Sequence, residues 1–222
     1  MQTLSIFDLD RTITRHGTWT PFLLFAVLRR APWRALLLPV ILVAAAGYTL
    51  GLLSRGRLKE IMHAAIIGRR ADAAQVQALA DHYAQAVMAS NIYAEAIALI
   101  RAEQASGREV IIATASCAFY VGALARHLGV DRVIATKNRH DGDVLTNRID
   151  GKNCYGAAKR TMVEAYFTAH GIVRGAAHIR FYSDHISDVP TFDLADEAIA
   201  VNPSPALQRH AAEHGWPVLD WR

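Results

Sequence analysis

The stretch T-L-S-I-F-D-L-D-R-T-I-T (residues 3–14) decides how the rest of the chain is read. Its apolar run ends abruptly in the carboxylates Asp8 and Asp10, the pattern of a buried strand emerging at a sheet edge. Two carboxylates two positions apart at a strand end point to one side. Such a pair is costly without a cation or a shared proton. Further along, the same pattern returns. R-E-V-I-I-A-T (108–114) is a β-branched run after Gly107 that leads to the hydroxyls of Thr114 and Ser116. D-R-V-I-A-T (131–136) follows, then H-I-R-F-Y-S-D (178–184), again closed by a carboxylate, with Asp188 shortly after. E-A-I-A-V-N-P (197–203) and W-P-V-L-D (216–220) complete the strands. Helical segments over 118–128, closed by Gly129, and from about Tyr155 to His170 lie between them. Residues 138–151, with Asp141-Gly142, read as a β-hairpin.

From residue 92 onward strands alternate with helices, which predicts an α/β fold with a Rossmann-like parallel sheet. The first strand is separated from this series by a long helical stretch. The expected division is a core of residues 1–16 and 92–222, with a helical cap of residues 17–91 inserted after the first strand. The cap would cover the carboxyl edge of the sheet, where ligands bind in open α/β folds.

Composition narrows the class. The 222 residues are 52% hydrophobic and 20% charged, which excludes a disordered chain. Two cysteines, Cys117 and Cys154, make neither a multi-bridge framework nor a four-cysteine zinc site, and a reduced intracellular location is expected. M-Q-T-L-S-I-F, followed at once by Asp8 and Asp10, does not read as a secretory leader. The net charge of +4 is unevenly spread: residues 1–70 carry ten Lys/Arg against three acids, and residues 71–222 fourteen against seventeen. A basic first third suits a phosphorylated substrate or an anionic membrane. Few aromatics are interleaved with the basic residues, so nucleic acid is not an expected partner.

The strand ends carry the chemistry. A site gathering Asp8, Asp10, Asp184 and Asp188 suits a hard, oxygen-liganded ion such as Mg²⁺. Thr114 and Ser116 add hydroxyl donors, and Lys159 adds an ammonium. Together these are what a transferring phosphoryl group needs, because its charge must be held on all its equatorial oxygens.

F-D-L-D-R-T-I-T (7–14), I-I-A-T-A-S (111–116), Lys159 within Y-G-A-A-K-R, and Y-S-D-H-I-S-D-V-P (182–190) resemble the four motifs of the haloacid-dehalogenase superfamily, in the branch similar to phosphoserine phosphatase. The resemblance implies an Mg²⁺-dependent phosphomonoesterase with Asp8 as nucleophile and Asp10 as general acid and base. It implies that Asp8, the Asp10 carbonyl and Asp184 hold the metal. Thr114, Ser116 and Lys159 would bind the phosphoryl oxygens, Asp188 would orient Lys159 or a metal-bound water, and Thr12 would brace the loop. The branch usually has a small residue where this chain has Arg11, and often one where it has His185. The alternative is a catalytically idle regulatory or scaffold protein of the same fold at the membrane surface, and the completeness of the motifs weighs against it.

Residues 35–53 contain no charge, which reaches the usual length of a transmembrane helix. Arg29, Arg30 and Arg34 precede the run, and Arg55, Arg57 and Lys59 follow it. Asp8 and Asp184 flank it in sequence yet must share one site, so a single crossing is excluded. Residues 19–28 are too few to supply a second. Two readings stay open. Residues 19–59 lie on an anionic membrane surface, making the protein peripheral on the inner face and its substrate a phospholipid. Or the run is buried in a soluble cap or a homodimer seam of a cytoplasmic enzyme that acts on a soluble phosphometabolite. Glu60 is the first acid after Asp10, which weighs against the ammonium of phosphoserine.

Overall fold

The computed structural model of the chain describes residues 1–221. The chain opens with β1 (Gln2–Phe7) and then runs through α1 (Trp19–Arg30), a 3-10 turn (Pro32–Leu37), α2 (Leu38–Thr49) and α3 (Arg55–Ile66). A short β2 (Arg70–Asp72) leads into α4 (Ala73–Ser90) and α5 (Ala94–Ala105). The rest alternates: β3 (Glu109–Cys117), α6 (Ala118–His127), the hairpin β4 (Arg132–Asp141) and β5 (Val144–Asp150), α7 (Ala157–Ala169) and β6 (Ala177–Ser183). It closes with α8 (Val189–Phe192), β7 (Glu197–Val201), α9 (Pro205–His214) and β8 (Val218–Leu219).

The strands form one sheet in the order β2-β5-β4-β3-β1-β6-β7-β8. β4, β3, β1, β6, β7 and β8 are parallel, while β5 and β2 extend the sheet antiparallel. This is the expected Rossmann-like α/β fold. β1 lies between β3 and β6, so its carboxylates emerge between the ends of two strands that carry their own polar residues. The central strands read as continuous apolar runs because both faces are covered. Ile111 and Ile112 point to opposite faces and both are fully buried. The expected third strand and the first arm of the hairpin are a single element: β4 leaves the parallel sheet after Thr136, and the chain turns back at Gly142, whose φ of 55° suits glycine.

The two ends of segment 17–91 are stitched together. Thr14 bridges Ile92, Arg15 N donates to Asn91 O (2.9 Å), and His16 N donates to Asn91 Oδ1 (2.9 Å). Within the segment α4 packs on the sheet side, and Val76, Ala80, Tyr83 and Val87 share one apolar cluster with Val121 and Leu124 of α6. α2 differs. Pro39 starts it, Gly51 (φ 74°) ends it, and Ala44 is its one buried residue. Burial within a soluble cap, one half of the second expectation for this run, is therefore not what the chain does with it. The basic residues around it are also not alike. Arg34 turns inward to the carbonyls of Ala65 and Ile66 (3.3 and 3.2 Å) at the end of α3, and Lys59 is buried.

Candidate active site

Asp8 follows β1 directly, its N–H held by Tyr182 O (2.8 Å) of β6. The loop after it folds back on Leu9 O, which accepts from Ile13 N and Thr14 N (both 3.0 Å). Thr14 Oγ1 braces this loop: it donates toward Leu9 O (3.1 Å) and His16 O (2.8 Å) and accepts from Arg11 N (3.2 Å). Thr12, expected in that role, is buried, and its hydroxyl has no partner among the described residues. The turn is tight enough to hold Arg11 at a φ of 65°, the left-handed region that favours glycine.

Asp8, Asp10, Thr114, Lys159, Asp184 and Asp188 all line one cavity of about 490 Å³ at the carboxyl edge of the sheet. Lys159, from the first turn of α7, is fully enclosed and donates to Asp8 Oδ1 (2.7 Å) and Asp188 Oδ2 (2.6 Å). Ser183 Oγ donates to the same Asp188 oxygen (2.6 Å). Burial alone would lower the Lys159 pKa, but Asp188 and Asp8 outweigh it and the ammonium is held charged. Burial pushes the Asp8 carboxyl well above the usual range. Lys159 opposes this, and Asp188, Asp184 and Asp10 add to it. Asp184 is pushed up to about 7 by burial, then by Asp188.

Asp10 is oriented from the segment above it. Thr18 N and Thr18 Oγ1 both donate to its Oδ1 (2.7 Å each), and Ser116 Oγ donates to its Oδ2 (2.7 Å). Ser116 thus departs from expectation: its buried hydroxyl is committed to Asp10, and it is not among the cavity-lining residues. Thr18 also meets Tyr120 Oη (3.0 Å), and its carbonyl accepts from Tyr83 Oη (2.7 Å). A second lysine joins the site from outside. Lys59 of α3 donates to Ala115 O, between Thr114 and Ser116, and to Asn153 Oδ1 (2.8 Å). Burial lowers its pKa. None of Thr18, Tyr83, Tyr120 and Lys59 stands in a motif. The one sequence signal was Thr18, a hydroxyl residue just before an apolar helix, where an N-cap is expected. In the structure its side chain caps Asp10 and not the helix.

The cavity wall also includes Arg11, Arg55 over the Tyr155 ring (4.2 Å), Trp19 and His185. His185 Nδ1 accepts from Ser187 N (3.2 Å), and burial lowers its pKa. A divalent cation fits the donor set. Asp8, Asp184 and Asp188 are all buried around the Lys159 ammonium, and burial lifts Asp8 and Asp184 in spite of it, so a further cation would favour their ionised forms. The oxygens of Asp8 and Asp184 with the Asp10 carbonyl are the hard donors that suit Mg²⁺. Both Asp10 carboxylate oxygens already accept hydrogen bonds, which leaves its carbonyl as the natural donor.

The family model of haloacid dehalogenase-like hydrolases matches residues 6–193. A probable phosphatase of Mycobacterium tuberculosis (strain ATCC 25618 / H37Rv) is 31% identical over 150 residues, 68% of this chain and 51% of that protein. Protein CicA of Caulobacter vibrioides is 30% identical over 196 residues, 87% of this chain and 83% of that one. The chain spans about half the length of the first curated relatives it matches. Among solved structures, a protein of unknown function from Bordetella pertussis Tohama I superposes with a TM-score of 0.90 at 26% identity, covering 100% of both chains. A phosphoserine phosphatase holding a phospho-aspartyl intermediate analogue gives 0.63 at 16% identity, over 100% of this chain and 94% of that one. The second likeness is one of fold.

Proposed function

The chain belongs to the haloacid dehalogenase-like hydrolases, and from that premise we propose that it hydrolyses phosphomonoesters through a covalent phosphate on Asp8. The observation that carries this reading is the division of labour between the two aspartates. Asp8 is tied to the buried Lys159 (2.7 Å), and Asp10 is bonded instead to Thr18 and Ser116. Asp8 Oδ attacks phosphorus, the bond to the leaving oxygen breaks, and Asp10 delivers a proton to that oxygen. Asp10 then takes a proton from the water that attacks phosphorus, and the Asp8 carboxylate leaves. Lys159 and Thr114 hold the phosphoryl oxygens, and Asp188 keeps Lys159 aimed between them. Mg²⁺, held by Asp8, Asp184 and the Asp10 carbonyl, supplies further charge neutralisation when bound.

Segment 17–91 serves as the cover of this site, since Trp19, Thr20 and Pro21 of α1 and Arg55 of α3 contribute to the cavity wall. Its one charged contribution there is Arg55, and among the described residues it brings no carboxylate to the cavity. Glu60 pairs instead with Arg57 (2.6 Å) and Arg148 (3.0 Å). A substrate with a second anionic group is favoured over one bearing an ammonium. Phosphate release from p-nitrophenyl phosphate, with Mg²⁺ and with a chelator, tests the activity. Metal-dependent turnover that disappears in Asp8→Asn is expected. Steady turnover by a folded Asp8→Asn protein contradicts the covalent route.

A further inference from the structure

We propose that the exposed apolar face of α1 and α2 docks on an anionic lipid surface, and that the cavity receives a phosphomonoester carried by a lipid. The second half rests on the phosphatase reading; the first does not. The face is large and unpartnered. Leu36, Leu42 and Val43 are 81%, 68% and 73% exposed, and Leu50 and Leu52 are also mostly exposed. Contiguous apolar surface of this kind on a folded chain marks an interaction site.

The face reaches the cavity from two directions. Thr20, Leu24 and Leu28 stand four residues apart on α1 and share one side of it. Thr20 lines the cavity, whereas Leu24 and Leu28 are exposed and lead toward the 3-10 turn. At the other end Leu52 precedes the cavity-lining Arg55 by three residues, a reach of about 10 Å at most. A headgroup phosphate in the cavity would therefore have its hydrocarbon on the apolar stripe.

Charge selects the occupant. No Asp or Glu occurs between Asp10 and Glu60. Arg29 and Arg30 stand exposed at the rim, Arg29 over the Phe25 ring (4.7 Å) and Arg30 on the neutral Gln75 amide (3.1 Å). In a two-fold dimer the same patch would face itself, and it carries no acid to meet these guanidiniums. Anionic headgroups meet them directly. The run Pro32–Thr49 is long and apolar enough to cross a bilayer. Its α-helical part is however only about 18 Å long, and Asp8 and Asp184 on either side of it share one cavity, so it lies in the interface.

Sedimentation of the full chain with vesicles of phosphatidylcholine, with and without phosphatidylglycerol, tests the docking. The protein should pellet with the anionic vesicles only, and less so as salt shortens the screening length to about 10 Å near 0.1 M. Arg29→Gln with Arg30→Gln should weaken partitioning about thirtyfold, and Leu36→Gln with Val43→Gln should release the protein. Both double variants should keep wild-type turnover of p-nitrophenyl phosphate, which reports an intact fold. Wild type left in the supernatant with anionic vesicles at low salt overturns the docking. If light scattering then shows a dimer that Leu36→Gln with Val43→Gln dissociates, the face belongs to a second copy. The substrate half is tested with phosphatidate in vesicles against glycerol 3-phosphate in solution. Turnover should favour the vesicle-borne ester by about tenfold or more, because docking raises its effective concentration, and the leucine–valine variant should lose that advantage alone. Equal turnover of both esters by membrane-bound wild type overturns the lipid substrate. Absence of turnover on every phosphate, p-nitrophenyl phosphate included, defeats the phosphatase reading while sedimentation still decides the docking.

Discussion

Thr14 carries three hydrogen bonds in the loop that presents both aspartates, whereas the equally buried hydroxyl of Thr12 carries none among the described residues. Removing one partner of a buried hydrogen bond costs about 1–3 kcal/mol, while removing an unpartnered hydroxyl costs little. Thr14→Val should therefore lower the unfolding free energy by about that amount and reduce turnover, and Thr12→Val should be close to neutral in stability. Denaturant titration of the pair checks this, and the reverse order would mean that the brace is assigned to the wrong threonine. Arg11 adds a second residue-scale test. Its φ of 65° strains any side chain, and the residue lines the cavity. Arg11→Gly relieves the backbone while removing the charge. Melting temperature should hold or rise, and KM for a doubly anionic phosphate should rise about tenfold or more, the value of a charge-assisted hydrogen bond. An unchanged KM would leave Arg11 a solvent-facing residue.

At the scale of elements, α3 joins the segment above the site to the loop beneath it through one buried ammonium. Lys59 spans from α3 to Ala115 O and Asn153 Oδ1, and Thr136 Oγ1 meets the same two oxygens (2.7 and 3.1 Å). A buried cation with neutral partners is poor for stability, and an apolar replacement is often neutral or better. Lys59→Met should thus keep or raise the melting temperature. It should still lower kcat by about tenfold or more, because a catalytic loop displaced by even 1 Å loses rate steeply. Unchanged kcat would make the contact merely structural. This lysine also shows where the sequence stops being legible. Strand ends are legible because apolar runs stop at carboxylates or hydroxyls, so local pattern points to Asp8, Asp10, Thr114, Asp184 and Asp188, and Lys159 joins them from the helix before the next strand. Lys59 sits in a run of basic residues beside an apolar segment and reads as one more surface charge. Only the packing of α3 against the β4–β5 side turns it inward. Thr18 is similar: its local pattern signals a helix cap, and the nearby Asp10 carboxylate is the better acceptor. Ser116 was placed at the correct strand end, but a shift in the β3–β4 register between Thr114 and Cys117 accompanies its commitment to Asp10.

For the molecule as a whole, the cluster of carboxylates makes folding, metal binding and pH one linked problem. Asp184 is pushed up to about 7 by burial and by Asp188, against an ordinary value near 3.9 in the unfolded chain. Between those two values the folded chain holds a proton that the unfolded chain has released. The stability tied to this group is therefore fully present below pH of about 3.9 and is lost as pH rises through about 7. Burial acts on Asp8 in the same direction. A divalent cation competes with those protons for the same oxygens and stabilises only the folded state. In the metal-free protein, thermal stability from this cluster should decline between pH 5 and pH 8, an interval that spans the Asp184 transition near 7. Added MgCl₂ should raise the melting temperature clearly at the upper end and little at the lower. Asp184→Asn should flatten the metal-free slope and shrink the Mg²⁺ shift together, because this carboxyl contributes to both. Calorimetric or fluorescence melts of wild type and Asp184→Asn, with and without MgCl₂ at the two pH values, read this out without any turnover. An Mg²⁺ shift of equal size at both pH values, or one that survives intact in Asp184→Asn, would place the cation away from these carboxylates.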